Sequence, residues 1–148
     1  TTRAIAEAFH TGMEWFNTFG GNPVSCATGL AVLDVIEQED LRARASRVGA
    51  LLQEGLRALA AQHEVIGDVR GRGMYLGAEF VRDRSSRAPD PERLRAVIEH
   101  ARAERVLLSS DGPDHNVLKI KPPIVFDEQD AALMLAVVEH ALQATEQR

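Results

Sequence analysis

VIGDVRGRGMYLGAEFV (residues 65–81) decides how the rest of the chain folds. Gly67, Gly71, Gly73 and Gly77 are poor helix residues, and Met74, Leu76, Ala78 and Phe80 alternate with Tyr75, Gly77, Glu79 and Val81. That period of two predicts one or two strands with a glycine bend. The glycines do not make a dinucleotide-binding fingerprint, because their spacing is wrong and no helix follows. They are expected to serve the bend and close packing instead. Arg70 and Arg72 are expected to be solvated or paired with an acidic neighbour such as Asp68.

Helical patterns flank this stretch on both sides. Thr1–His10 predicts a short helix capped by Thr2, with Ile5, Ala6 and Phe9 on one face. Thr11–Asn22 reads as a loop. Asn22 suits an N-cap and Pro23 the first helical position, where a missing N–H costs nothing. Cys26, Gly29, Leu30, Leu33 and Ile36 then follow a helical period. Asp40 is expected to cap a second segment carrying Leu41, Val48, Leu51, Leu52, Leu56 and Leu59, so that one long bent helix runs over residues 23–62. Downstream, Asp90 or Pro91 starts a helix to about residue 104, with Leu94, Val97, Ile98 and Ala101 inward. Residues 106–109 and 116–121 predict short strands around the turn-rich SDGPDH. Asp127 caps a last helix through Ala131, Leu133, Met134, Val137, Val138 and Leu142. The order helix–helix–strand–helix–strand–strand–helix describes a small α+β domain whose sheet is covered by helices.

Composition narrows the function. A net charge of −5 argues against a generic binder of nucleic acid or of anionic membranes, which would show a basic excess. No apolar run approaches the roughly 20 residues that span a bilayer. The single Cys26 excludes an internal disulfide and is expected to be a small core residue. His10, His63, His100, His115 and His140 form no ligand-spaced pair, so no metal site is expected. The N-terminus TTRAIAEAFH is too polar for a signal peptide.

Two stretches could bind an anion. FNTFGGNPVSC (16–26) sets Thr18, Gly20 and Gly21 just ahead of a helix N-terminus, where unpaired N–H groups and the dipole favour negative charge. Read as backbone alone, it is first a capped turn between two helices, and Pro23 removes one donor from the anion reading. NVLKIKPPI (116–124) holds the only lysines of the chain. In an extended segment Val117, Lys119 and Lys121 point to one face. Adjacent cations repel, so that face should meet solvent, carboxylates or a bound anion. The plainer alternative is an edge strand whose lysines discourage pairing and whose end is closed by Pro122 and Pro123.

FNTFGGNPVSCATGLAVLDVIEQEDL, IGDVRGRGMYLGAEFV and LLSSDGPDHNVLKIKPPIVF, taken in order, resemble the C-terminal part of class III aminotransferases. These are pyridoxal-phosphate enzymes of fold type I. DGPDHNVLKIKPP is most similar to the branch containing ethanolamine-phosphate and 5-phosphohydroxy-lysine phospho-lyases, also called alanine–glyoxylate aminotransferase-like. The resemblance implies the small C-terminal domain of such an enzyme, with a short, mainly antiparallel sheet covered by helices. Residues 1–22 would end the large cofactor-binding domain, 23–62 would be a long linking helix, and 63–148 the small α+β domain.

The resemblance also implies roles. Thr18 would donate to the phosphate of pyridoxal 5'-phosphate bound mainly by the neighbouring subunit of a homodimer with shared active sites, and Phe19 and Gly20 would lie beside that phosphate. The family's Schiff-base lysine lies upstream of the position matching Thr1, so no catalytic residue is expected in this chain, which would be inactive alone. In many relatives an Arg at the position of Lys119 grips a substrate carboxylate. Lys lacks that fork and suits a substrate such as a phosphorylated amine, so Lys119 and Lys121 are candidate substrate-binding residues. The implied activity is transamination of a primary amine or amino acid, or expulsion of phosphate from a phosphorylated amine, in the cytoplasm. The competing reading is a non-catalytic dimerisation or regulatory module that keeps the fold.

Overall fold

The structure, a computed structural model, describes residues 1–13 and 16–146. The part of the expected loop at Glu14 and Trp15 lies outside the described residues. The chain divides into two compact units, Thr1–Gln38 and Glu39–Arg148.

The first unit holds α1 (Arg3–Phe9) and α2 (Pro23–Gln38). Thr2 caps α1 by accepting from the Ile5 amide. Asn22 caps α2, its side-chain oxygen accepting from the Ser25 amide at 2.9 Å, and Pro23 takes the first helical position. Neither helix contains a buried residue. Cys26, expected in a core, is exposed, as are Leu30 and Leu33 of the same stripe. Helical periodicity identifies an apolar face, but what covers that face depends on other elements.

The single helix expected over 23–62 is two helices. α3 (Leu41–Gln62) begins after a break at Asp40, which sits at φ +47° and makes no side-chain cap bond. An N-cap side chain reaches the N2 or N3 amide from extended backbone. Asp40 instead takes the left-handed conformation typical of a residue ending a helix.

In the second unit, four strands form one antiparallel sheet in the order β1-β2-β4-β3. These are β1 (Ile66–Arg72), β2 (Tyr75–Phe80), β3 (Ser109–Asp111) and β4 (Val117–Ile120). β1 and β2 are the hairpin read from residues 65–81, bent where Gly71 and Gly73 take φ +135° and +55°. β3 begins three residues later than the expected 106–109, so Asp111 belongs to a strand and not to the turn. β4 is no edge strand: it pairs with β2 on one side and β3 on the other.

α3, α4 (Pro91–Ala103) and α5 (Glu128–Glu146) complete the unit. Asp90 and Asp127 cap α4 and α5, accepting from the Arg93 amide and from the Gln129 and Asp130 amides. Leu76, Ala78 and Phe80 of β2 and Leu118 and Ile120 of β4 bury their side chains with Val48, Leu52, Leu56, Leu94, Val97, Met134, Val138 and Leu142 from the helices. Leu51 and Leu133, expected inward, are exposed at the margins of their stripes. The result is a two-layer α+β unit. The alternate residues of β2 and β4, among them Tyr75, Gly77, Glu79, Val117 and Lys119, line the sheet's other face.

Candidate functional site

Lys119 stands at the centre of that outer face. In register it lies opposite Gly77 on β2 and Ser109 on β3. Its ammonium is 3.1 Å from the Asp111 carboxylate, and both side chains are partly exposed. Asp111 also accepts from the Gly112 amide at 2.8 Å. That backbone N–H first, and Lys119 second, hold the Asp111 carboxyl below the usual carboxylate range. A depressed carboxyl favours the folded state above its unfolded-state pKa, and this contribution fades as pH falls through the folded value. The Asp111 carboxyl is therefore ionised at neutral pH and able to pair with Lys119.

Lys121 follows β4 on the same side. Its ammonium lies 5.6 Å from the centre of the Tyr75 ring, a cation–π distance. Arg70 is held by two carboxylates, Asp68 at 2.7 Å and Glu79 at 2.5 Å, as its sequence neighbourhood suggested. Hydrogen bonds from these two partners raise its pKa above the ordinary arginine value.

Lys119 borders two depressions. One, of about 360 Å³, is lined by Arg70, Tyr75, Gly77, Asp111, Val117 and Lys119 among others. The other, of about 500 Å³, is mainly apolar, with Leu107, Pro122, Phe126 and Met134 beside both lysines. The lysine face thus meets a carboxylate and open space, two of the environments its charge demanded. Asp111, Tyr75 and Gly77 were not singled out from the sequence as neighbours of Lys119. Placing Asp111 there needed the position of β3, and neither Tyr75 nor Gly77 carries a charge pattern that points to a site.

The first unit carries the other candidates, described by themselves. The amides of Phe19 and Gly20 both donate to the Asn17 side-chain oxygen, at 3.2 and 2.9 Å. A Cβ at Gly20 would lie 2.2 Å from the Asn17 side-chain amide, so a larger residue there would displace the side chain that accepts from these two amides. Gly21, at φ +76°, has nothing within 4 Å of a built Cβ. Among the described residues the Thr18 hydroxyl makes no hydrogen bond, and it lies exposed beside the α2 N-terminus. The Thr18 hydroxyl is therefore open to donate to an anion. The two amides that follow are already committed to Asn17.

Comparison with known proteins places this geometry. The model of the family described as "Aminotransferase class-III" matches residues 1–142. The chain is 46% identical, over 99% of its length, to an alanine–glyoxylate aminotransferase 2-like protein of Drosophila melanogaster. It is 37% identical, over 96% of its length, to ethanolamine-phosphate phospho-lyase homolog 1 of Caenorhabditis elegans. It spans 30% and 31% of the length of these two curated relatives. Among solved structures it is similar to a phospholyase from Arthrobacter in complex with phosphoethanolamine. The TM-score is 0.87 at 40% identity, over 97% of this chain and 34% of that one. Among the described residues no helix is long and apolar enough to cross a membrane.

Proposed function

The chain belongs to the class-III aminotransferase family, and from that premise we propose that it is the C-terminal part of a pyridoxal-phosphate enzyme acting on a primary amine, with phosphate elimination from a phosphorylated amine as its reaction. Members of the family depend on pyridoxal phosphate, which fits the fold and the Thr18 loop. The observation that carries the substrate assignment is Lys119 on an open sheet face, a lysine where the resemblance implies an arginine fork in many aminotransferases. An ammonium serves a phosphate monoester as a point charge without requiring planar, bidentate geometry. Similarity to a phospholyase holding phosphoethanolamine supports the same substrate class.

In this reading Thr18 donates its hydroxyl to the cofactor phosphate held by the neighbouring subunit of a homodimer, and Phe19 and Gly20 lie beside it. When bound, the cofactor supplies the electron sink for loss of a proton next to the amine. Lys119, with Lys121 beside it, binds the substrate phosphate and fixes the leaving group. In doing so Lys119 exchanges its contact with Asp111 for the incoming dianion. A cytoplasmic location belongs to this reading, against the mitochondrial one that the name of an Arabidopsis thaliana relative carries.

Two experiments test it in the full-length protein. Borohydride reduction of the cofactor-loaded enzyme, followed by peptide mapping, is expected to label a lysine outside these 148 residues. A label at Lys119 or Lys121 would overturn the assignment, and no label anywhere would favour the non-catalytic module. Lys119→Ala is expected to raise the KM for phosphoethanolamine by about tenfold or more, as loss of a charge-assisted contact worth about 1.5–3 kcal/mol predicts. Unchanged kinetics would remove Lys119 from the substrate site.

A further inference from the structure

Three glycines line the smaller depression beside Lys119: Gly71, Gly77 and Gly112. Two are explained by their backbone, since Gly71 and Gly112 take φ +135° and +84°. Gly77 is not among the positive-φ residues. It sits in the middle of β2, in unbroken register with Arg70 on β1 and Lys119 on β4. A glycine inside a regular strand costs stability, and where no bulge or bend needs it, it marks a close approach by a neighbour or a ligand.

The neighbour on the page is Val117, whose Cγ1 would lie 2.9 Å from a Cβ at position 77. That contact alone is an incomplete reason, because it is with a side-chain methyl and not with backbone. The next atom met is the Leu118 carbonyl oxygen, at 3.9 Å. The missing side chain therefore leaves a gap bounded on one side by the Val117 methyl and opening into the depression that Gly77 and Lys119 both line. Directly paired residues carry their Cβ atoms about 4.5–5.5 Å apart, which sets this gap beside the Lys119 stem. Tyr75 and the Asp111–Lys119 pair line the same depression.

We propose that Gly77 is a specificity-determining residue of the substrate subsite: the space left by its absent side chain admits the tetrahedral phosphate of a phosphorylated amine against the Lys119 ammonium. The inference rests on the reading of Lys119 as the group that binds substrate phosphate. A planar carboxylate needs less depth over the sheet than a phosphate, whose oxygens project in three directions. A methyl at position 77 raises the floor where those oxygens rest.

The test uses the full-length, cofactor-loaded enzyme with phosphoethanolamine as substrate and inorganic phosphate as a calorimetric probe. Gly77→Ala is expected to raise the KM about tenfold with kcat little changed, the usual cost of one misplaced methyl group, and to weaken phosphate binding by a similar factor. The double variant Gly77→Ala/Val117→Ala removes the methyl contact and is expected to keep the loss. Recovery of wild-type phosphate affinity in the double variant would overturn the inference, leaving Gly77 as a packing partner of Val117. Wild-type affinity in Gly77→Ala alone would overturn it too. Lys119→Ala separates the two levels. Phosphate binding lost there but kept in Gly77→Ala sinks only this inference, whereas phosphate binding kept in Lys119→Ala sinks the reading beneath it.

Discussion

Gly49→Ala is expected to destabilise the second unit by about 3 kcal/mol. Gly49 is buried on α3, where a Cβ would lie 2.2 Å from the carbonyl carbon of Gly73, 2.3 Å from its oxygen and 2.7 Å from its Cα. All three atoms are backbone, so no rotamer change relieves the contact. α3 would have to lift off the β1–β2 turn, and Val48 and Leu52, both fully buried, would lift with it. In a helix without such a neighbour the same change stabilises by about 1 kcal/mol through propensity. The clash therefore decides the sign. Gly55 supplies the contrast on the same helix, because its Cβ would meet only Leu135 side-chain atoms, which can turn away. The urea-unfolding midpoint should fall sharply for Gly49→Ala and stay near wild type for Gly55→Ala. Equal midpoints for Gly49→Ala and wild type would refute the helix–turn contact.

That contact also marks a limit of the sequence. The alternation from Met74 to Phe80 predicted the strand, and the structure buries one of the two alternating sets, Met74, Leu76, Ala78 and Phe80. Gly71 and Gly73 were legible as a bend because a turn is a local requirement. Gly49 was not, since its reason is a backbone 24 positions away, brought close only by tertiary packing. Asp40 failed in a related way. As a residue type Asp suits an N-cap, yet its left-handed backbone ends a helix, and composition does not choose between those roles. Cys26, Leu30 and Leu33 show a third limit. Their period was read correctly as helical, but periodicity does not say what lies over the apolar face.

The candidate site was legible in part. Two lysines alternating in NVLKIKPPI had to share a face, and the strand geometry places Lys119 over a carboxylate and an open depression. The assumption that lysines guard an edge was overturned, because β4 pairs on both sides. The strand order joins segments far apart in the chain, so the residues of β4 read alone do not reveal that it pairs on both sides. Asp111 escaped notice because the strand holding it was expected three residues earlier. Val106, Leu107 and Leu108 supply the apolar signal there, and the ladder begins only at Ser109. In the other stretch the turn chemistry was visible. Its internal bookkeeping, with Asn17 taking the two amides, required coordinates.

Phe80→Ala should cost about 3–5 kcal/mol, the range for removing a large buried aromatic and leaving a cavity. Phe80 is fully buried and lies on the core side of β2, among the residues that join α3, α4 and α5 to the sheet. Its backbone fastens three segments. The amide donates to the Asn116 carbonyl at 2.7 Å, and the carbonyl accepts from the Asn116 side chain at 2.9 Å and from the Asp90 amide at 3.1 Å. Asn116 is itself buried, and this bond satisfies its side-chain amide. Truncating the ring leaves those bonds chemically possible but removes the packing that holds them. The start of β4 and the cap of α4 should therefore loosen together. Phe80→Leu keeps most of the volume and should cost less than about 1.5 kcal/mol. The outer face gives the discriminating measurement. Phe80 points away from Lys119, so below the unfolding transition the KM for phosphoethanolamine should stay near wild type, while the urea midpoint falls. Gly77→Ala should do the reverse, moving KM with little change in midpoint once Val117 is relieved. If Phe80→Ala instead raised KM in the fully folded enzyme, the two faces of the sheet would not be independent. The phosphate subsite would then depend on core packing and not on the residues that border it.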